Sequence, residues 1–362
     1  MCFIWCLLLF IYCEEISAQS FKSAADSIRR YRSVPGLAYA VFTSGSILEI
    51  GTSGTRMLKT KDSVRITDRF HLGTSTTLFT AYLAARMQEL NKIRWNSSLI
   101  EILPELKGNS MKLYHPITLE QLLSQRAGIL PYTEMDHYKG LEILPGSLHN
   151  QRKTFAAIVL QKRPLTLPDS SKPTYSIAGT SIAAFMLEKA GGKEWEQLID
   201  QYINKTLSIS IKFGLPNLRD SLQPSGHWDR YGSVTVEPAT SWAKPIPAVM
   251  PATDINISII DFIKFAQDHL KALENKTSIL SNQSVNQLLF GYPFFAVGWQ
   301  NEKLNGLEIA YSLGKGALFS SYVEINRNQK IGIIVLCNSG AANGRSVVRN
   351  FGRMLREFYV VN

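Results

Sequence analysis

The strand-forming runs of this chain are unevenly placed, and their placement limits the folds open to it. Short β-branched and aromatic runs fall near the two ends and almost nowhere between. Near the start, residues 37–42 and 47–50 read as two strands joined by a tight turn at Ser44-Gly45. Near the end, 294–299, 307–312, 320–325 and 331–336 are four more runs, separated by Asn, Gly and Lys turns. Apolar residues recur at helical spacing over 78–90, 181–190 and 259–273, and helices are expected at 20–31 and 345–358. No internal repeat, low-complexity tract or Gly/Ser linker divides the chain. The pattern predicts an α+β fold: an antiparallel sheet built from both chain ends, flanked by helices, with a mostly helical lobe inserted between. The sheet lobe is expected at approximately 20–75 and 290–362, and the helical lobe at approximately 76–289. A ligand site is expected at their junction.

The first residues stand apart from this fold. Cys2 to Cys13 form an uncharged apolar run, shorter than the roughly 20 residues of a spanning helix. Small and polar residues follow, so 1–18 reads as a signal peptide cut after Ala18, with 19–362 as the mature domain, periplasmic or extracellular. No transmembrane span is expected once it is removed. Bulky Phe10, Ile11 and Tyr12 argue against a lipid anchor at Cys13. Cleavage leaves Cys337 as the single cysteine, inside an apolar run, where it reads as a small buried hydrophobe rather than a reactive thiol. An apolar fraction of 45% with 19% charged residues excludes a disordered chain. The net charge of +10 comes from scattered Lys and Arg with no run of like charge and no interleaving with aromatics, so no nucleic-acid partner is expected.

Five segments then carry a resemblance, and they occur in a fixed order. FHLGTSTTLFTA (70–81) resembles F-x-I-G-S-x-[TS]-K-x-F-T-A, and ITLEQLLSQRAGILPY (117–132) resembles T-I-x-x-L-L-x-H-x-S-G-L-P. PTYSIAG (173–179) is similar to Y-S-N-x-G, SLGKGALFSS (312–321) to H-x-G-G-x-P-G-F-S-S, and 331–338 to I-G-x-x-V-L-x-N. Together they resemble the class C β-lactamases, D-alanyl-D-alanine carboxypeptidases and related esterases, from about Pro35 to the C-terminus. The resemblance implies a β-lactamase/transpeptidase-like fold and a serine-hydrolase site.

That chemistry uses a serine at the start of a buried helix and a lysine three residues on, placed together because i and i+3 are neighbours on a helix. Here Thr74 and Thr77 occupy those positions. Thr74 keeps a hydroxyl, hindered by its methyl group; Thr77 offers no amine to take its proton. Tyr175 retains the motif tyrosine, whereas the amide partner two residues on is Ile177. The lysine or histidine of the facing strand is Ser312, followed by a retained Gly314. The resemblance implies an oxyanion hole made by the main-chain N–H groups of Thr74 and Lys315. Each residue also has a plain structural role available: Thr74 and Thr77 as helix-start residues, Tyr175 as a packed aromatic, Ser312 as a strand residue and Lys315 as a solvated turn lysine.

The expected function is therefore a catalytically impaired member, a pseudoenzyme whose cleft binds peptidoglycan-peptide or β-lactam-like ligands. Thr74, Tyr175, Ser312, Gly314 and Lys315 are its contact residues. The alternative is a weakly active esterase, peptidase or β-lactamase using Thr74. No cofactor is expected, and no metal, since the six histidines show no ligand spacing. The sequons at Asn96, Asn204 and Asn275 matter only in a eukaryotic secretory host.

Overall fold

The computed structural model describes residues 21–134, 137, 139–141, 144–167, 172–230, 233–236, 246–316 and 318–361. The signal peptide expected at 1–18 lies outside them. The strands are β1 (Gly36–Phe42), β2 (Ile47–Gly54), β3 (Arg69–His71), β4 (Lys212–Phe213), β5 (His227–Arg230), β6 (Ser233–Val236), β7 (Ile255–Ser258), β8 (Gln300–Leu304), β9 (Leu307–Lys315), β10 (Ser320–Asn326) and β11 (Ile331–Cys337). Six of them form one antiparallel sheet in the order β2-β1-β11-β10-β9-β8, so the N-terminal hairpin closes against the last strand of the chain. The fold is the expected α+β arrangement.

Both faces of this sheet are covered, which is why β1 and β11 read as unbroken apolar runs rather than as alternating ones. In β1, Ala38, Ala40 and Phe42 enter the core under the helical lobe, while Leu37, Tyr39 and Val41 enter a second core with the helix at 21–31 and the helix Ala342–Arg356. Cys337 belongs to that second core, fully buried, and burial pushes its thiol up to about 12. The helices Thr76–Glu89 and Ile177–Gly191 bury residues on every side, as helices at the centre of a lobe must. Ile259–Leu273 follows an N-cap at Ser258, whose hydroxyl accepts the Asp261 N–H.

One local expectation fails for a definable reason. The run 294–299 is not a strand: Phe294 and Gly298 have φ of +66° and +83°, and Phe295, Ala296, Val297 and Trp299 are all buried, so the side chains do not alternate. The strand begins after it, at Gln300. The lobe between the ends also holds a small sheet, β3-β7-β4, and a β5-β6 hairpin; with strands of two to four residues, these carry too little periodicity to be read in advance.

Two buried histidines set an acid limit on stability. His227 is fully buried, with Nε2 accepting the Leu58 N–H (3.0 Å) and Nδ1 bonded to the Asn338 carbonyl (2.7 Å). His269 is fully buried among Tyr82, Phe265 and Trp299. Burial lowers both imidazoles below their ordinary value. The unfolded chain therefore takes up these protons first as pH falls, and stability is complete above about pH 6.5 and declines below it. Replacing His269 by Phe should flatten that decline by up to about 1.4 kcal/mol per pH unit, read from urea unfolding at pH 7 and pH 5. An unchanged slope would remove His269 from the account.

Candidate active site

The site begins where β3 ends. Leu72 leads into a single 3-10 turn, Gly73–Ser75, which runs directly into the helix Thr76–Glu89. Gly73 has φ of +56°, and a Cβ there would strike the backbone of Lys315 and Gly316, so the turn and the end of β9 can approach closely only because residue 73 is glycine. Under the turn, the His71 Nδ1 accepts the Gly73 N–H (3.2 Å), which leaves the proton on Nε2 to bond Asp254 Oδ1 at 2.9 Å. Asp254 lies 183 residues from His71, so inspection of histidine spacing has no means of finding the pair.

Every residue of 70–85 is buried except Thr74. Its Oγ1 accepts the Lys315 N–H at 3.0 Å, which joins the nucleophile position to the expected oxyanion donor. The Tyr175 phenol neighbours the Thr74 hydroxyl. Burial raises the pKa of Tyr175, and the neighbouring Thr74 hydroxyl lowers it only in part. The phenol oxygen is enclosed and makes no fully formed hydrogen bond. At neutral pH it is a neutral phenol, able to donate a proton and unable to take one.

Thr77 turns back. Its hydroxyl donates to the Thr74 carbonyl (3.0 Å), and the side chain is buried. Ser312 does not reach Thr74; its Oγ lies 2.8 Å from Ser75 Oγ. Ser321 Oγ donates to the Leu72 carbonyl (2.9 Å) and lies 3.1 Å from Ser75 Oγ, making a buried chain of hydroxyls between turn and strands. Gly314 lies against this chain, where any Cβ would collide with Ser321 Oγ and the Leu72 carbonyl. The Lys315 side chain is exposed.

The loop carrying Tyr175 is fastened at each flank. Gln125, at the position where the resembling motif has histidine, accepts the Ser176 N–H through Oε1 (2.7 Å), and its carbonyl accepts the Thr174 N–H (2.8 Å). Ser176 Oγ caps the next helix by accepting the Gly179 N–H (2.9 Å) and donates to the Leu130 carbonyl. Ile177, buried, gives its N–H to the Pro131 carbonyl (2.8 Å). Gln125 has no independent signal in the sequence, because its role rests on a partner 51 residues away.

Backbone strain gathers around the same loop. Ten non-glycine residues among those described have positive φ. Seven are Ser, Asn or Lys at helix ends and turns, where such residues are common. The other three are Gln125, Tyr132 and Phe294, and all border Tyr175: Gln125 bonds its flanks, Tyr132 follows Pro131, and Phe294 precedes Phe295, whose ring lies 6.2 Å from that of Tyr175. Bulky residues held at positive φ cluster at functional sites. Among the described residues no group of His, Cys, Asp or Glu is arranged to hold a metal, and no helix is long and apolar enough to cross a membrane.

Comparison with known proteins places this geometry. The β-lactamase family model matches residues 22–356. Penicillin-binding protein 4 of Amycolatopsis lactamdurans is 26% identical over 289 residues, covering 76% of this chain and 72% of that protein. Protein flp of Staphylococcus aureus (strain MW2) is 21% identical over 314 residues, or 84% of this chain and 60% of its own length, so the chain spans less than two thirds of that relative. The class C β-lactamase of Rhodobacter sphaeroides superposes with a TM-score of 0.70 at 17% identity, covering 93% of this chain and 99% of that one. With the sheet, the Thr74 turn and the Tyr175 loop in this arrangement, the chain belongs to the β-lactamase family, the serine hydrolases related to penicillin-binding proteins.

Proposed function

We propose that the chain is an exported, catalytically impaired member of its family, whose cleft holds a small peptide-like or β-lactam-like ligand without turning it over. The observation that carries this reading is the company of the Thr74 hydroxyl. Its polar neighbours are a backbone N–H and a phenol held neutral by burial, with no amine, imidazole or carboxylate hydrogen-bonded to it among the described residues. A hydroxyl attacks a carbonyl only if something takes its proton. Thr77 fills the lysine position and points its hydroxyl back into the turn. Ser312 fills the strand position and bonds Ser75.

Binding needs less than catalysis. The Lys315 N–H that meets Thr74 Oγ1 can pass to a ligand carbonyl or carboxylate. Thr74, Tyr175, Ser312, Gly314 and Lys315 are the proposed contacts. The name of the Amycolatopsis relative, a penicillin-binding protein, supports a ligand of the penicillin class. The uncharged apolar run at 2–13 supports export.

A second reading, weak hydrolysis through Thr74, draws on one observation: Thr74 is the only residue of its segment not buried, and its hydroxyl sits at the oxyanion donor. Intact mass after incubation with a fluorophosphonate and with benzylpenicillin separates the two. The expected result is unmodified protein, with a thermal midpoint raised by benzylpenicillin or by acyl-D-alanyl-D-alanine; at a ligand concentration about 100 times Kd the gain is about 2.7 kcal/mol. An adduct on Thr74 would establish the hydrolase instead.

A further inference from the structure

Phe294 holds a strained backbone position next to Phe295, the residue that packs toward Tyr175. Its φ is +66°, and the Phe295 N–H bonds the Pro293 carbonyl across it at 2.8 Å, which closes a γ-turn of the rare, strained hand. Glycine would adopt this shape freely. A surface phenylalanine with no contact to make would gain nothing there, and this ring is 74% exposed.

The rest of the molecule holds the turn in place. Buried Arg126 donates to the Pro293 carbonyl through Nη2 (3.1 Å) and to the Phe295 carbonyl through Nη1 (2.7 Å), bracketing residue 294. The Arg126 guanidinium also lies 4.6 Å from the centre of the Tyr292 ring. The Asn301 N–H bonds the Phe294 carbonyl at 3.0 Å, and the Asn301 amide holds the Tyr292 carbonyl at 2.8 Å. On the inner side Phe295 is buried and packs toward Tyr175. The result is a rigid mount that turns one aromatic ring inward to the Tyr175 loop and the next outward to solvent. Strain that the surroundings over-determine in this way is a mark of function.

We propose that Phe294 is a ligand-recognition residue, which packs against an apolar or aromatic side group of the ligand seated at Thr74 and Tyr175. The inference rests on the retained-cleft reading and adds the ligand's chemistry: a polar carbonyl end toward Lys315 N–H, and an apolar substituent toward Phe294. An exposed ring contributes nothing to the core, so its replacement leaves the fold intact.

The test uses the full chain, with benzylpenicillin as a probe bearing an aromatic substituent and 6-aminopenicillanic acid as the same nucleus without it. Phe294→Gly relieves the φ constraint, and its thermal midpoint should rise by about 2–4 °C. The same variant should bind benzylpenicillin about tenfold more weakly and 6-aminopenicillanic acid as the wild type does, while Phe294→Leu, still apolar, should restore benzylpenicillin affinity to within about threefold. Unchanged benzylpenicillin affinity in Phe294→Gly overturns the role of Phe294 and leaves the cleft reading standing. Equal losses for both probes would also overturn it, since they would show a disturbed site rather than a lost contact. A wild-type protein that binds neither probe overturns the cleft reading, and Phe294 falls with it.

Discussion

Combining Thr74→Ser, Thr77→Lys and Ile177→Asn, with Ser312→His on the facing strand, should produce nitrocefin turnover at least about 100-fold above any of the single variants, since a positioned proton acceptor contributes 10²–10⁴-fold. Thr74→Ser alone should give no measurable gain. It relieves the hindrance at the hydroxyl but leaves the same two neighbours, the Lys315 N–H and a phenol that burial keeps protonated. Thr77→Lys alone places an ammonium at a position only 2% exposed, with Ile177 unable to accept a hydrogen bond through its side chain, and should cost about 3–5 kcal/mol. The groups act as a unit, so their effects should be far from additive. Nitrocefin hydrolysis and urea unfolding on the singles and the combination measure both halves. Robust turnover from Thr74→Ser alone, abolished by Tyr175→Phe, would show that a working base had been present throughout.

Arg152→Met should cost about 3–5 kcal/mol of stability, because it strands a buried carboxylate. Arg152 and Glu188 are both essentially inaccessible and form an ion pair, with Glu196 on the second guanidinium nitrogen. Glu188 also accepts the Trp195 N–H (2.8 Å) and faces His149 (2.9 Å). The network ties Leu148–Leu160 and Trp195–Ile199 to Ile177–Gly191, the helix that begins two residues after Tyr175. Denaturant unfolding should show a lower midpoint with an unchanged slope, and Arg152→Met with Glu188→Gln should recover most of the loss, since the orphaned charge is then gone. A cost below about 1 kcal/mol in the single variant would mean that the carboxylate finds water or another partner.

Much of the frame was legible without coordinates. The apolar runs at the two chain ends are continuous because β1 and β11 are buried on both faces, and the helical spacing between them comes from helices that bury most of their circumference; both are local consequences of burial, so they survive in the sequence. The order of the five motifs located the Thr74 turn and the Tyr175 loop for the same reason, because each motif is a local turn or strand start. At 294–299 the apolar and aromatic residues have a strand's composition, but positive φ at Phe294 and Gly298 bends the chain.

Local pattern along the chain accounts for the sheet from both ends, the helical lobe between, and the substitution of Thr74, Thr77, Ile177 and Ser312 for the usual chemistry. What those residues touch depends on packing between distant segments. Thr74 meets a backbone N–H 241 positions away, Ser312 turns to Ser75 rather than to Thr74, and Gln125 fastens the Tyr175 loop. His71 finds Asp254, and Arg126 brackets the strained turn at Phe294. Periodicity and turn chemistry act over a few residues and are written along the chain. A hydrogen bond between distant side chains depends on how packed elements cross, to within fractions of an ångström, and no local pattern encodes that distance.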